Sequence, residues 1–193
     1  MSQGNIIKEE TATQARAHKG PESLVLLNTG DGKGKTTAAL GVMMRALAQG
    51  WRVSVIQFLK SDDWETSEEN IFSQLGVNWI KCGEGRFTWS KNYDPEVARA
   101  KAQAGWKAAK EELKSKDLGL LVLDEIALAL KFGWLEEEEV IHTIQERSPN
   151  INVILTGREA SESLIKLADV VTEMRKIKHP FDKGIVARTG IDY

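Results

Sequence analysis

The chain has 193 residues, 41% hydrophobic and 28% charged, which is the size and composition of one folded domain that can bury roughly 70% of its unfolded surface. Its formal charge of -2 gives no global attraction to nucleic acid or anionic lipid, and no apolar run approaches the ~20 residues that cross a bilayer. The one cysteine, Cys82, cannot form an internal disulfide, and the Met-Ser start lacks the pattern of a signal peptide. We expect a cytoplasmic protein without nucleic-acid or membrane partners.

The first 22 residues differ from the rest of the chain. They hold few large apolar side chains and end near Gly20-Pro21, which predicts a tail, residues 1–22, that is mobile when free. Residues 8–17 are passable helix formers and could order against a partner or ligand. We find no internal repeat and no further boundary, so residues 23–193 are expected to form one domain.

From Ser23 onward, short apolar runs alternate with helical stretches. This alternation predicts an α/β fold with a doubly wound, mostly parallel sheet of about six strands flanked by helices. Several of the runs lack polar alternation, as expected of strands that are covered on both faces. The candidate strands are residues 24–28, 53–58, 77–81, 118–123, 153–156 and 170–174. One long helix is predicted to follow the capping pair Asp94-Pro95, because apolar residues recur at helical spacing after it.

A glycine-rich loop follows the first candidate strand and opens a helix. The loop residues expected to bind the phosphates are Gly30, Asp31, Gly32, Lys33, Gly34, Lys35, Thr36 and Thr37. The three glycines permit backbone angles that aim successive N–H groups inward, and the helix start adds free donors and a positive dipole end. Lys35 supplies a mobile cation and Thr36 a hydroxyl for Mg²⁺. This order of strand, loop and helix predicts a P-loop NTPase (RecA-like) architecture.

The loop departs from the common spacing GxxxxGK[ST] at one position. That spacing places its first glycine at position 29, where this chain has Thr29, and the glycine comes one residue later, at Gly30. An accidental glycine-rich turn is the alternative, but the strand before the loop and the helix after it argue against that.

A second nucleotide element is predicted at Asp124 and Glu125, which end an apolar strand. In P-loop proteins such acids hold Mg²⁺ directly or through water, beside the loop threonine. We therefore expect Thr36, Asp124 and Glu125 to form the metal site. An acidic pair at a strand end can also be a turn or a helix cap, and only the upstream loop favours the metal.

Several separated segments resemble one family, the P-loop type of cob(I)alamin (corrinoid) adenosyltransferase. The resemblance covers essentially all of residues 23–193. Its segments are the loop with Asp31 to Thr37, Arg45 in the next helix, Val55 to Lys60, Phe87 to Trp89, Leu123 to Glu125, Lys131 to Leu135, Leu155 to Arg158, Lys178 to Ile185 and Gly190 to Tyr193.

The resemblance implies transfer of the 5′-deoxyadenosyl group of ATP to the cobalt of a reduced corrinoid, with release of triphosphate. The substrates would be ATP and cob(I)alamin or another corrinoid, with Mg²⁺ or Mn²⁺ as the cofactor. Cob(I)alamin is itself a strong nucleophile, so the protein's task would be positioning and stabilisation of the leaving triphosphate. The family also implies a homodimer and an electron-donating flavoprotein as a further partner.

The resemblance gives roles to three further residues. Phe87 and Trp89 would exclude the lower axial ligand of cobalt, which makes Co(II) easier to reduce to Co(I). Together with Lys35 they are the predicted catalytic residues. Without the resemblance, the two aromatics would be read as packing a loop onto the core. Arg45 would reach the nucleotide ribose, the alternative being a solvated arginine.

Two rival functions are weighed against this one. The first is a P-loop ATPase or kinase that breaks a phosphoanhydride bond, in which Glu125 would orient water. The second is a module that binds corrinoid or nucleotide without catalysis. The products separate them: adenosyl transfer gives triphosphate and needs Co(I), hydrolysis gives orthophosphate, and a binding module forms no cobalt-carbon bond.

Overall fold

The computed structural model describes residues 22–61, 66–85 and 93–191. The strands in these ranges are β1 Val25–Thr29, β2 Arg52–Gln57, β3 Asn78–Lys81, β4 Leu118–Asp124, β5 Asn152–Thr156 and β6 Val170–Glu173. The α-helices are α1 Lys35–Ala48, α2 Ser67–Gln74, α3 Pro95–Glu112, α4 Ile126–Lys131, α5 Glu137–Gln145 and α6 Glu162–Leu167, and a 3₁₀ helix spans Pro180–Lys183. Each predicted strand is present, and its ends differ from the prediction by at most one residue.

The six described strands form one sheet in the order β3-β2-β4-β5-β1-β6. All five neighbouring pairs are parallel, which confirms the predicted α/β class and sharpens "mostly parallel" to fully parallel within the described residues. β5 lies between the strand that enters the glycine-rich loop and the strand that ends in the acidic pair. Because all strands run the same way, their carboxyl ends meet at one edge, where ligands bind in such folds.

Helices cover both faces of the sheet, so the central strands are apolar on both sides. Ala39 and Met43 of α1 pack with Phe72 of α2 against one face, with Leu120 and Val122 of β4 among their partners. The neighbouring residues of β4, Leu121 and Leu123, point to the other face and join the core formed with helices α3 to α6. This double cover explains why the strands lack polar alternation.

Helix α3 begins as its sequence predicts. The carboxylate of Asp94 accepts hydrogen bonds from the backbone N–H groups of Glu96 at 3.0 Å and Val97 at 3.3 Å, and Pro95 occupies the first helical position. The predicted apolar stripe is buried, at Ala98, Ala102, Trp106, Ala109 and Leu113. The stripe holds α3 against the sheet.

The sheet ends at β6, whose residues are all exposed, and the chain beyond it stays largely exposed to Ile191. This segment turns back across the carboxyl edge of the sheet and contributes His179, Gly190 and Ile191 to a cleft there. In the described part of the chain, no helix is both long and apolar enough to span a membrane.

Candidate functional site

The glycine-rich loop connects the last residue of β1 to the first residue of α1, as predicted. Gly30 and Gly34 have φ values of +91° and +113°, in the left-handed region that residues with side chains rarely adopt. Gly34 is the N-cap of α1 and has no side chain to cap it, so the first N–H groups of the helix remain available to an anion.

Gly32 allows a close approach of two backbone segments rather than a left-handed turn, because its φ is not positive. Its N–H instead donates a 2.6 Å hydrogen bond to the carbonyl oxygen of Met174, and a Cβ at Gly32 would lie 2.7 Å from that oxygen. A Cβ at Gly30 would lie 2.6 Å from the same atom. The chain leaving β6 therefore packs too closely on the loop to admit side chains.

The displaced glycine also has a structural explanation. Thr29, which stands where the common motif has glycine, is still part of β1 and is 8% exposed. Its carbonyl oxygen accepts from the N–H of Met174 at 2.8 Å, and its hydroxyl accepts from the N–H of Ala160 at 3.3 Å. The left-handed turn begins at Gly30, directly after the strand, which is where the glycine stands.

Lys35 lies across the loop rather than pointing to solvent. Its ammonium donates to the carbonyl oxygens of Gly30 and Gly32, each at 2.7 Å, and the residue is only 6% exposed. Burial lowers the pKa of Lys35, and the nearby carboxylate of Glu125 partly opposes this effect. The ammonium is thus already held among the groups expected to face phosphate.

Asp124 is the last residue of β4 and is almost fully buried. Its Oδ1 accepts hydrogen bonds from the hydroxyls of Thr36 at 2.8 Å and Thr156 at 2.7 Å, and its Oδ2 accepts from the amide of Gln57 at 2.9 Å. The Thr36 contact joins the acidic pair to the first turn of α1, so the structure brings the predicted metal-site residues together. Three donors stabilise a carboxylate that would otherwise be costly to bury.

Glu125 follows in a left-handed conformation, with φ +61°, which is unusual for a residue other than glycine. Its N–H donates to the hydroxyl of Thr156 at 2.9 Å, while its buried Oε2 has no hydrogen-bond partner. Burial, followed by repulsion from Asp124, raises the pKa of Glu125 to about 7, against a smaller opposing effect of Lys35. A strained residue with an unpartnered buried carboxylate oxygen is characteristic of a functional position.

The oxygen atoms of Thr36, Asp124 and Glu125 suit Mg²⁺, a hard cation that prefers oxygen ligands. Among the described residues there is no group of three or more His, Cys, Asp or Glu side chains able to hold a metal ion. Mg²⁺ commonly binds one or two carboxylates together with substrate phosphates and water. Of these three residues, Glu125 has a buried carboxylate oxygen, Oε2, without a hydrogen-bond partner.

These groups meet in a cleft of about 560 Å³ at the carboxyl edge of the sheet. The loop and the start of α1 form its floor. Charged side chains on its walls include Lys60, Glu68 and Arg158, and the exposed chain near Ile191 bounds it from the C-terminal side. The cleft can therefore take a polyanion at the loop and has room for a larger group beyond it.

Comparison with known proteins identifies the family. Residues 21–193 match the model of the family described as ATP:corrinoid adenosyltransferase BtuR/CobO/CobP. The chain belongs to this adenosyltransferase family. A corrinoid adenosyltransferase of Pseudomonas aeruginosa is 40% identical over 195 residues, covering 100% of this chain and 93% of the relative. The corrinoid adenosyltransferase of Escherichia coli K12 is 36% identical, with 97% and 94% covered, and that of Salmonella typhimurium is 38% identical, with 93% and 89% covered.

The predicted site residues are brought together only in part. Those that line the cleft are Gly32, Lys33, Gly34, Lys35, Thr36, Thr37 and Glu125, while Asp124 lies buried behind them. Asp31 is exposed on the loop. Arg45 is exposed in the last turn of α1, about 15 Å along the helix axis from Lys35, and does not line the cleft. Phe87 and Trp89 lie outside the described residues, so their roles stay predictions.

Several residues at the site of this adenosyltransferase had no role predicted from the sequence. Lys60 and Arg158 follow β2 and β5 closely and line the cleft, and Gln57 and Thr156 end those strands and bind Asp124. The available signal was position: polar residues at the carboxyl ends of parallel strands gather at the ligand-binding edge. All four lie in or beside segments that carry the family resemblance.

Proposed function

We propose that this chain transfers the 5′-deoxyadenosyl group of ATP to the Co(I) centre of a corrinoid, cobalamin or a precursor, and releases triphosphate. The observation that carries the proposal is the match to the adenosyltransferase family along residues 21–193, combined with a cleft whose floor is a phosphate-binding loop. A cytoplasmic location, where ATP and reductants are present, is proposed with it.

In the proposed reaction the electron pair of Co(I) forms a bond to C5′ of the ribose, and the C5′–O bond breaks. The electrons of that bond leave with the triphosphate. Because the nucleophile is the substrate itself, the chain needs to supply position and charge rather than an activated side chain. The N–H groups at the start of α1, together with Lys33, Lys35 and Arg158, would stabilise the departing triphosphate, since these residues line the cleft.

Thr36 and Glu125 would hold Mg²⁺, with Asp124 behind them. When bound there, the ion neutralises part of the triphosphate charge. This ligand set is a proposal supported by the 2.8 Å contact between Thr36 and Asp124 and by the unpartnered oxygen of Glu125.

Cleavage of a phosphoanhydride bond is the second candidate function, and one observation favours it. Glu125 is placed beside the loop with a pKa raised to about 7, so its carboxylate could orient a water molecule for attack on phosphorus. Hydrolysis would proceed without corrinoid and yield orthophosphate, whereas adenosyl transfer would need Co(I) and yield triphosphate.

Two partners belong to the proposal. A homodimer is supported by apolar side chains that the C-terminal part of the chain leaves exposed, at Val170, Val171, Ile177, Phe181, Val186 and Ile191. Molar mass measured by light scattering tests it, and a monomer at micromolar concentration would contradict it.

A reduced flavoprotein is the proposed electron donor for Co(II), with Phe87 and Trp89 excluding the lower axial ligand.

The proposed reaction is tested with chemically reduced cobalamin and Mg-ATP. We expect the optical change that marks adenosylcobalamin, reversed by light, with one triphosphate for each product formed. Omitting the corrinoid is the matched control, and orthophosphate should then stay at background. Folded protein that makes no light-sensitive product, or that makes orthophosphate without corrinoid, would contradict adenosyl transfer and favour the second candidate.

A further inference from the structure

Gln57 is the last residue of β2 and is 1% exposed. Its Nε2 donates to Oδ2 of Asp124 at 2.9 Å, and its Oε1 accepts from the indole N–H of Trp79 at 2.9 Å. A chain of hydrogen bonds, partly buried at Trp79 and fully buried at Gln57, therefore runs from the edge strand β3 to the acidic pair at the centre of the sheet.

Trp79 determines which way the Gln57 amide points. An indole N–H can only donate a hydrogen bond, so it must face the amide oxygen. The Nε2 group is then forced toward Asp124, where a carboxylate needs a donor. Without the indole N–H the amide could turn over and present an oxygen to the carboxylate, which would repel it.

Asp124 in turn determines the direction of the Thr36 hydroxyl. Because Oδ2 is occupied by Gln57, Oδ1 faces Thr36 and Thr156 and accepts a hydrogen bond from each hydroxyl. The Thr36 hydroxyl donates its hydrogen bond to Asp124, so the lone pairs of the Thr36 oxygen stay available to a cation. A carboxylate held from both sides keeps this arrangement in place.

We propose that Gln57, oriented by Trp79, is a positioning residue that fixes Asp124 and, through it, presents the Thr36 hydroxyl to the metal ion of the bound nucleotide. The inference rests on the proposed function, since it concerns how the nucleotide's metal is held. Groups that orient metal ligands from behind typically change metal affinity 10- to 100-fold when removed.

The two variants that test the network are Gln57→Met, which keeps most of the volume, and Trp79→Phe. The latter removes the indole N–H but keeps a ring to stack on Phe72, whose centroid lies 6.1 Å from that of Trp79 with the rings 18° apart. Ser54→Ala is the matched control, because Ser54 is also polar, fully buried and on β2 but bonds to the backbone oxygen of Asn78 and to Glu112 instead of Asp124.

The dissociation constant of ATP is measured by calorimetry with excess Mg²⁺ and with a chelator, and thermal unfolding is followed in parallel. In the wild type we expect Mg²⁺ to tighten binding. In Gln57→Met the factor by which Mg²⁺ tightens ATP binding should fall by about tenfold or more, and in Trp79→Phe it should fall by less. ATP binding without metal should be unchanged in both variants. Ser54→Ala should keep the full gain even if it unfolds earlier.

A purely structural role predicts equal weakening with and without Mg²⁺, in step with the unfolding temperature, and that result would overturn the inference. Unchanged binding in both variants would overturn it as well, while leaving the proposed function intact. A wild type without any Mg²⁺ gain would overturn the proposed metal site and this inference together. If Gln57→Met does not fold, Trp79→Phe decides the outcome.

Discussion

The N–H of Gly32 donates a hydrogen bond of 2.6 Å to the carbonyl oxygen of Met174, although the two residues are far apart in sequence. The contact supports the phosphate loop from the chain that leaves the edge strand β6, and it leaves no room for a side chain at Gly30 or Gly32. The loop's geometry therefore depends on the C-terminal part of the chain as well as on its own sequence.

Gly30→Ala is expected to destabilise the protein and weaken ATP binding. The new Cβ would lie 2.6 Å from the oxygen of Met174, and the φ of +91° disfavours alanine. Left-handed strain costs roughly 1–2 kcal/mol and overpacking roughly 1–3 kcal/mol, so we expect a loss of about 2–5 kcal/mol in the free energy of unfolding. Urea unfolding and ATP titration measure the two effects.

Gly41→Ala is the control for that variant. Gly41 lies within α1 on the exposed side, and a Cβ there meets nothing within 4 Å. Alanine should stabilise the helix by about 0.5–1 kcal/mol and leave ATP binding unchanged. If both alanine variants behaved alike, the contact with Met174 would not explain the loop glycines.

Lys35→Ala is expected to abolish adenosyl transfer. The Lys35 ammonium is buried over the loop, 2.7 Å from the carbonyl oxygens of Gly30 and Gly32, where the leaving triphosphate is proposed to lie. Loss of a preorganised charge at the leaving group typically costs about 100- to 1000-fold in rate. The initial rate with pre-reduced cobalamin and Mg-ATP measures this.

Lys33→Ala is the comparison, because Lys33 is exposed and lines the same cleft. Its rate should fall less than that of Lys35→Ala, since solvent screens an exposed charge. Both variants should remain folded by circular dichroism. A Lys35→Ala enzyme within a few-fold of the wild-type rate would remove Lys35 from the proposed mechanism.

The sequence was sufficient for the sheet and for part of the site. Apolar runs predicted six strands to within one residue, because strands covered on both faces must be continuously apolar. The loop was found because it follows a strand directly, and the acidic pair because it stands at the end of one. Their meeting, through Thr36 and Asp124, then follows from the common edge at which parallel strands end.

The remaining features depend on side-chain directions and on contacts between distant residues. The sequence does not show that Gln57 and Thr156 aim at Asp124, because strand register decides which residues face each other. The sequence also does not show that Gly32 contacts Met174, because only the pairing of β1 with β6 brings Met174 to the loop. Arg45, about two and a half turns beyond Thr36, does not line the cleft, and its contact with the ribose stays a prediction.

Phe87→Ala and Trp89→Ala should separate reduction of cobalt from adenosyl transfer. We propose that the two aromatics exclude the lower axial ligand, so their loss should slow turnover when Co(II) must be reduced on the enzyme by a flavoprotein. Rates with Co(I) supplied in advance should change little. The ratio of the two rates for each variant, compared with wild type, is the measurement. Equal loss in both assays would count against the axial-ligand role.

Glu125→Gln should change how stability depends on pH. Burial raises the pKa of Glu125 from 4.5 to about 7 in the folded protein, so the folded chain keeps a proton that the unfolded chain loses. The stability due to this group is fully present below about pH 4.5 and is lost as the pH rises to about 7. The loss is expected to reach up to about 3 kcal/mol.

Urea unfolding of the nucleotide-free protein at several values between pH 5 and pH 8 measures this dependence. Because the amide cannot ionise, Glu125→Gln should become progressively more stable than the wild type across the interval. Glu138→Gln, which alters an exposed carboxylate in the first turn of α5, should run parallel to the wild type. A constant difference between Glu125→Gln and the wild type would show that Glu125 is already ionised at pH 5, and that burial does not hold its proton.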